Sequence, residues 1–175
     1  MTIGPLDEVP LFQEIQHFRQ PWIWVLIGGI AGIAWYSFIR QIILGVPFGS
    51  NPAPDAGVII IFVIFGIIFP VWFLVMKLEI QISSTSLRFR MFPLHIKWRE
   101  VPFGSVAGVM AIIYLPLREY GGWGIRIGRK GMAYNVSGDR GVQVTLKSGK
   151  SFLLGSQRAE ELELVLRSRI RTGER

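Results

Sequence analysis

The chain has 175 residues, half of them hydrophobic, a formal net charge of +7 and no cysteine. That length leaves room for one soluble domain beside a membrane part. The missing cysteine excludes disulfides, thiolate catalysis and cysteine-based metal sites, and leaves the redox compartment open. Charge and hydropathy are unevenly placed. All Lys and Arg except Arg19 and Arg40 lie at or after Lys77, and the hydrophobic excess lies before it. The polyanion nearest to such a basic half is an anionic leaflet rather than nucleic acid.

Residues 1–20 mix Asp7, Glu8 and Glu14 with Leu11, Phe12, Ile15 and Phe18. The apolar set has helical spacing, which predicts a short amphipathic helix lying at an interface. Acids here, with a long apolar run behind them, argue against a cleaved signal peptide. Residues 22–44 open with WIWVLIGGIAGIAWYSFI and form a first predicted span, with Trp22, Trp24, Trp35 and Tyr36 towards its ends, at headgroup level. Arg40 can snorkel outward. Within the span, Gly28 and Gly32 form a small-xxx-small pair, read as close packing inside a helical hairpin or, second, as a dimer seam. The segment GVPFGSNPAPDA, residues 45–56, is a turn-rich loop without Lys or Arg. Residues 57–76, GVIIIFVIFGIIFPVWFLVM, carry no charge. As a helix they are roughly 30 Å long, one hydrocarbon thickness. Pro70 has no N–H to give to the carbonyl of Gly66, so a mild kink is predicted there. The positive-inside bias puts the loop outside and both termini in the cytoplasm, which predicts a multi-pass inner-membrane protein.

From Lys77 the period changes to two. Leu78, Ile80 and Ile82, then Leu87, Phe89 and Met91, then Ile96 and Trp98 are predicted to face a core, with Arg88, Arg90, Lys97 and Arg99 outward. A strand follows over Val106–Leu115, a loop over Pro116–Trp123, and further strands through Ile125 and Ile127, Met132 to Val136, Val142 to Leu146 and Phe152 to Leu154. Residues 137–141 and 147–150 read as hairpin turns. Ser156 is placed to cap a last helix. That helix starts with Glu160 and Glu161, ends with Arg167, Arg169 and Arg171, and carries the apolar face Leu162, Val165, Leu166 and Ile170. The organisation is thus an N-terminal interfacial segment (1–20), two spans (21–77) and a mainly-β domain (78–172).

The stretch GGWGIRIGRKGMAYNVSGDRGVQVTLKSGKSFLLGSQRAEELELVL, residues 121–166, resembles the second half of prokaryotic pleckstrin-homology-like domains. Those have a Gly-Gly-x-Gly loop, a Gly-Val strand, a Gly-Lys hairpin and Gly-Ser before an acidic helix. Glu100-Val101-Pro102 after Trp98 matches that family's strand-to-loop step. The resemblance, over about residues 22 to 170, implies a barrel of seven or eight strands closed by a C-terminal helix. It also implies scaffolding, oligomerisation or membrane association rather than chemistry.

Enzymatic signals are sparse. His17 and His95 belong to no metal or nucleophile pattern, and Gly121-Gly122-Trp123-Gly124 lacks the helix and Lys-Ser/Thr ending of a phosphate loop. Asn135-Val136-Ser137 matches a glycosylation acceptor on the side read as cytoplasmic. No cofactor, metal or nucleic acid is expected. The main constellation is basic. Pairing Ile80 with Phe89 and Phe89 with Trp98 sets Arg88 beside Arg99 and Arg90 beside Lys97, like charges that an external anion would relieve. Lys77, Arg88, Arg90, Lys97 and Arg99 are therefore the candidate anion or lipid contacts, against the plainer reading of a solvated charged face. The expectation is a non-enzymatic, membrane-anchored scaffold or adaptor with membrane lipid, a second copy or another membrane protein as partner. The alternative is an accessory subunit of a transporter, channel or other membrane complex.

Overall fold

A computed structural model describes residues 10–128 and 131–172. Asp7 and Glu8 of the N-terminal expectation lie outside them. The chain divides into a helical unit, Phe18–Met76, and a unit formed by the residues on either side of it.

The helical unit is a hairpin of α1 (Pro21–Ile43) and α2 (Asp55–Val75), two helices long and apolar enough to cross a membrane. Each holds wider turns in which an N–H bonds the carbonyl five residues back: Leu44 to Ile39 at the end of α1, and Phe69 to Ile64 within α2. In α2 these turns precede Pro70. The Gly66 carbonyl, which Pro70 cannot serve, accepts a hydrogen bond from the Trp35 indole of α1 at 3.1 Å. Phe62 fills the same contact, edge-on to Trp35 and stacked on Phe38 with ring centres 4.1 Å apart. The glycine of close approach is therefore Gly66, where an added Cβ would come within 2.9 Å of the Phe62 ring. Gly28 and Gly32 lie on the outward face, and a Cβ at either meets nothing within 4 Å. The preferred reading of that pair, packing within the hairpin, is thus corrected: Ile23, Ile27, Ala34 and Ser37 form the buried stripe of α1. At the loop end Gln41 donates to the Ala53 carbonyl (2.7 Å) and to Asp55 (2.8 Å).

The second unit has nine strands in two sheets, with no closed barrel among the described residues. The first sheet has the order β1-β2-β3-β4: β1 (Phe12–His17), β2 (Lys77–Ile82), β3 (Ser86–Phe92) and β4 (Arg99–Pro102), all antiparallel. The interfacial helix expected over residues 1–20 is replaced, within the described residues, by β1. Phe12, Glu14 and Gln16 are its buried positions, so the period is two but two of the inward residues are polar. Both are satisfied. Glu14 accepts from the Ser156 hydroxyl and from Gln157 N–H at 2.8 Å, and Gln16 donates to the Gly155 carbonyl at 2.8 Å. Because β1 pairs with β2, with His17 opposite Lys77, the helical hairpin is an insertion between two neighbouring strands.

The second sheet has the order β5-β8-β9-β7-β6, built from β5 (Val106–Ile113), β6 (Gly124–Gly128), β7 (Gly131–Asn135), β8 (Arg140–Leu146) and β9 (Ser151–Gly155). The turn at 147–150 joins an antiparallel β8/β9 hairpin as expected. Residues 137–141 do not form a hairpin turn, since β9 lies between β7 and β8 and pairs parallel with β7. There the backbones approach so closely that a Cβ on Gly131 would overlap the Ser151 carbonyl. The region read as loop 116–123 contains a short helix, α3 (Pro116–Tyr120), whose Tyr120 packs on Tyr114, Ala133 and Leu153. Ile127, expected inward, is 84% exposed on the edge strand β6. Asn135, read as a glycosylation acceptor, is fully buried and donates to the Tyr114 hydroxyl. The last helix, α4 (Ala159–Thr172), is preceded by Ser156, whose hydroxyl accepts from Arg158 N–H at 3.0 Å. Leu162 and Leu166 are its fully buried positions.

Candidate functional site

Leu78, Ile80 and Ile82 of β2 and Leu87, Phe89 and Met91 of β3 are buried, and Ile80 stands opposite Phe89, as the alternation predicts. The next register is displaced by one residue. Phe89 faces Arg99 rather than Trp98, and Arg88 faces Glu100. A one-residue slip turns every side chain to the other face, so the expected like-charge clusters do not form. Arg88 pairs with Glu100 at 3.0 Å, and Ser86 donates to the same carboxylate at 2.6 Å. These two hydrogen bonds, Ser86 first, hold the Glu100 pKa below its ordinary value. Glu79, opposite Arg90, takes both Lys77 (2.6 Å) and Arg90. Burial alone would raise the Glu79 pKa. The hydrogen bonds from Arg90 and Lys77 outweigh it, and the pKa is lowered. Arg90 also lies over the Trp98 ring at 4.5 Å.

Of the five basic candidates, Lys77, Arg88 and Arg90 are thus neutralised internally. Lys97 and Arg99 have no carboxylate partner among the described residues. They lie apart, Lys97 on the β3–β4 connection and Arg99 on β4. That connection, residues 93–98, is not a strand. Leu94 is 48% and Ile96 75% exposed at its tip, where Ile96 was expected to point into the core. Lys77, the first residue of β2, is paired with Phe92 on one side and His17 on the other. The 93–98 connection therefore leaves β3 at the end of the sheet that holds His17 and Lys77.

Arg99 shares the inward face of Phe89 at the mouth of a cleft of about 650 Å³ between the two sheets. Phe89, Tyr134 and Phe152 form its floor, with Phe89 and Phe152 stacked at 5.4 Å and Met132 beside them. The Arg99 guanidinium donates to the Tyr134 hydroxyl and lies 3.2 Å from His95 Nε2. Both neighbours are neutral groups. Burial raises the Tyr134 pKa although Arg99 acts the other way, and burial followed by Arg99 lowers that of His95. Lys150, in the β8–β9 turn, also lines the cleft and has no ion pair among the described residues. Sequence reasoning placed Arg99 on the outer face and missed Tyr134 and Lys150. The opposite-charge match of Arg88 with Glu100 was the signal that fixes the register.

Among the described residues no three His, Asp or Glu converge as metal ligands. His17 is the last residue of β1, and His95 serves Arg99. The site offers cations and apolar surface, the chemistry of binding an anion with an apolar body. No curated protein matches the chain. A family model covers residues 7–172, nearly the whole chain, and on that match the protein belongs to DUF6141, a family of unknown function.

Proposed function

We propose that this protein is a non-enzymatic, membrane-anchored scaffold or adaptor whose mainly-β unit is held against an anionic leaflet. The observation that carries the reading is the pair of long apolar helices, whose outward aliphatic and aromatic side chains are exposed along their length. Leaving Val25, Leu26, Ile33, Ile60 and Leu74 in water would forfeit about 1.5–3 kcal/mol for each. A bilayer removes that cost. Only Met76 lies between α2 and β2, so the strand pair begins at the membrane surface. The 93–98 connection then presents Leu94 and Ile96 for shallow insertion and Lys97 for anionic headgroups, worth about 1 kcal/mol per basic side chain. The loop without Lys or Arg, residues 45–56, is assigned to the outside and both termini to the cytoplasm. The pleckstrin-homology-like reading rests on the sequence likeness of residues 121–166; the two open sheets and the parallel β7/β9 pair depart from it. Ser37, Arg40 and Gln41, near the loop end of the first span, bond within the hairpin, to Ala34, Tyr36, Ala53 and Asp55. They therefore give no support to an ion or solute pathway.

Two single-cysteine variants test the anchor, with no native cysteine to interfere. An impermeant thiol reagent on intact cells labels Ser50→Cys and spares Ser148→Cys. The opposite pattern overturns the orientation, and equal labelling of both overturns the spans. In full-length protein reconstituted into vesicles, a fluorophore on Ile96→Cys is quenched by brominated lipid, more strongly with anionic than zwitterionic headgroups. A label that stays in water in both lipids removes the leaflet contact.

A further inference from the structure

We propose that the cleft between the two sheets binds an acyl carboxylate, with the anionic head on Arg99 and Lys150 and the chain over Phe89, Phe152 and Met132. Three observations carry this, none of which depends on the membrane reading. First, Arg99 is the arginine of the first sheet that lacks a carboxylate among the described residues. Arg88 has Glu100 and Arg90 has Glu79, whereas Arg99 is held by a tyrosine hydroxyl and an imidazole. A guanidinium kept in place by two neutral groups has its fork oriented and its charge unspent, and a carboxylate is the group that fits it in two parallel hydrogen bonds. Second, Glu100, the acid at the rim, is already engaged by Arg88 and Ser86, so it does not compete for Arg99 or Lys150. Third, the floor beneath these cations is aromatic and aliphatic, and the volume of about 650 Å³ falls in the range of small-molecule sites. A free inorganic anion would use the rim and leave the floor empty. A neutral lipid would use the floor and leave Arg99 unpaired. An acyl carboxylate uses both.

The test is photo-crosslinking of the full-length protein in zwitterionic nanodiscs with a diazirine-bearing palmitate, followed by peptide mapping. The expected labels fall on peptides that contain Met132, Phe152 or Val101. A diazirine fatty alcohol, identical except for its neutral head, labels them about tenfold less, the effect of losing one charge-assisted hydrogen bond. A lysophosphatidate analogue separates a phosphate site from a carboxylate site: stronger labelling than by palmitate overturns the carboxylate assignment. Lys150→Gln lies in an exposed turn and leaves folding intact, and it lowers palmitate labelling several-fold. Arg99→Gln lowers it further at an unchanged circular dichroism spectrum. Equal labelling by acid and alcohol, labels confined to residues 18–76, or labelling indifferent to Lys150→Gln each refute the proposal.

Discussion

Glu79→Gln is the sharpest test of how this protein handles its charge. Glu79 is 6% exposed and accepts from Lys77 and Arg90 together. The substitution keeps the shape and leaves two cations facing each other across β2 and β3. Breaking a fully buried pair costs about 3–5 kcal/mol, and an exposed pair is worth about 0–1 kcal/mol. The Lys77 and Arg90 side chains are 29% and 26% exposed, so water recovers part of the loss and about 2 kcal/mol is expected. For a domain of about 100 residues that is a fall in Tm of roughly 10 °C. The assay is thermal unfolding of the detergent-solubilised chain, with hydrogen exchange reporting protection of β2 and β3. Glu100→Gln is the control: that side chain is 46% exposed, and its loss costs under about 1 kcal/mol. The pH dependence has a definite sign. The Glu79 pKa is depressed in the folded protein, so its contribution is complete above the ordinary value of 4.5 and is lost as pH falls through the depressed one. Wild type and variant should therefore converge in acid. An unchanged Tm at neutral pH, or a gap that persists in acid, refutes the reasoning.

Gly66→Leu drives a side chain into the Phe62 ring and should destabilise the hairpin by about 1–3 kcal/mol, read as a fall in Tm in detergent. Gly32→Leu meets open space and should leave Tm unchanged; a fall in oligomer mass by light scattering would assign its outward face to a second copy. Glu14→Gln weakens the acceptor of Ser156 and Gln157 and should cost about 2 kcal/mol, with exchange protection lost in β1 before β8. Uniform loss across both strands would show that β1 is not a separable element.

Much of the architecture was legible because its signals are local. The apolar lengths of α1 and α2, the alternation of β2 and β3, the Ser-Gly turn between β8 and β9 and the acidic-to-basic gradient of α4 each lie within one segment. The failures share a different cause. β1 was read as a helix because its inward residues include Glu14 and Gln16, whose partners lie at the far end of the chain. Gly28 and Gly32 drew attention as a motif, whereas Gly66 gained its role from Phe62 and Trp35. Arg99 was placed on the wrong face because hydrophobic matching was extended through residues 93–98, which form no strand. Charge matching of Arg88 with Glu100 would have set the register and brought Arg99 inward. The parallel β7/β9 pair depends on a crossover that no turn residue announces.

The insertion of the helical hairpin between β1 and β2 also sets an order of assembly. During synthesis β1 is made first, and its partner does not exist until all of Phe18–Met76 has been polymerised. Closing so long a loop by chance would cost about 3–4 kcal/mol of chain entropy. The paired helices meet that cost in advance: Phe18 and Phe73 already touch, with ring centres 5.6 Å apart, so the two ends of the insertion are delivered side by side. Completion of the first sheet is therefore a readout of correct hairpin formation. A chain whose helices fail to pair leaves β2 with a bare edge, the kind of surface that recruits other strands and marks a molecule for aggregation or removal.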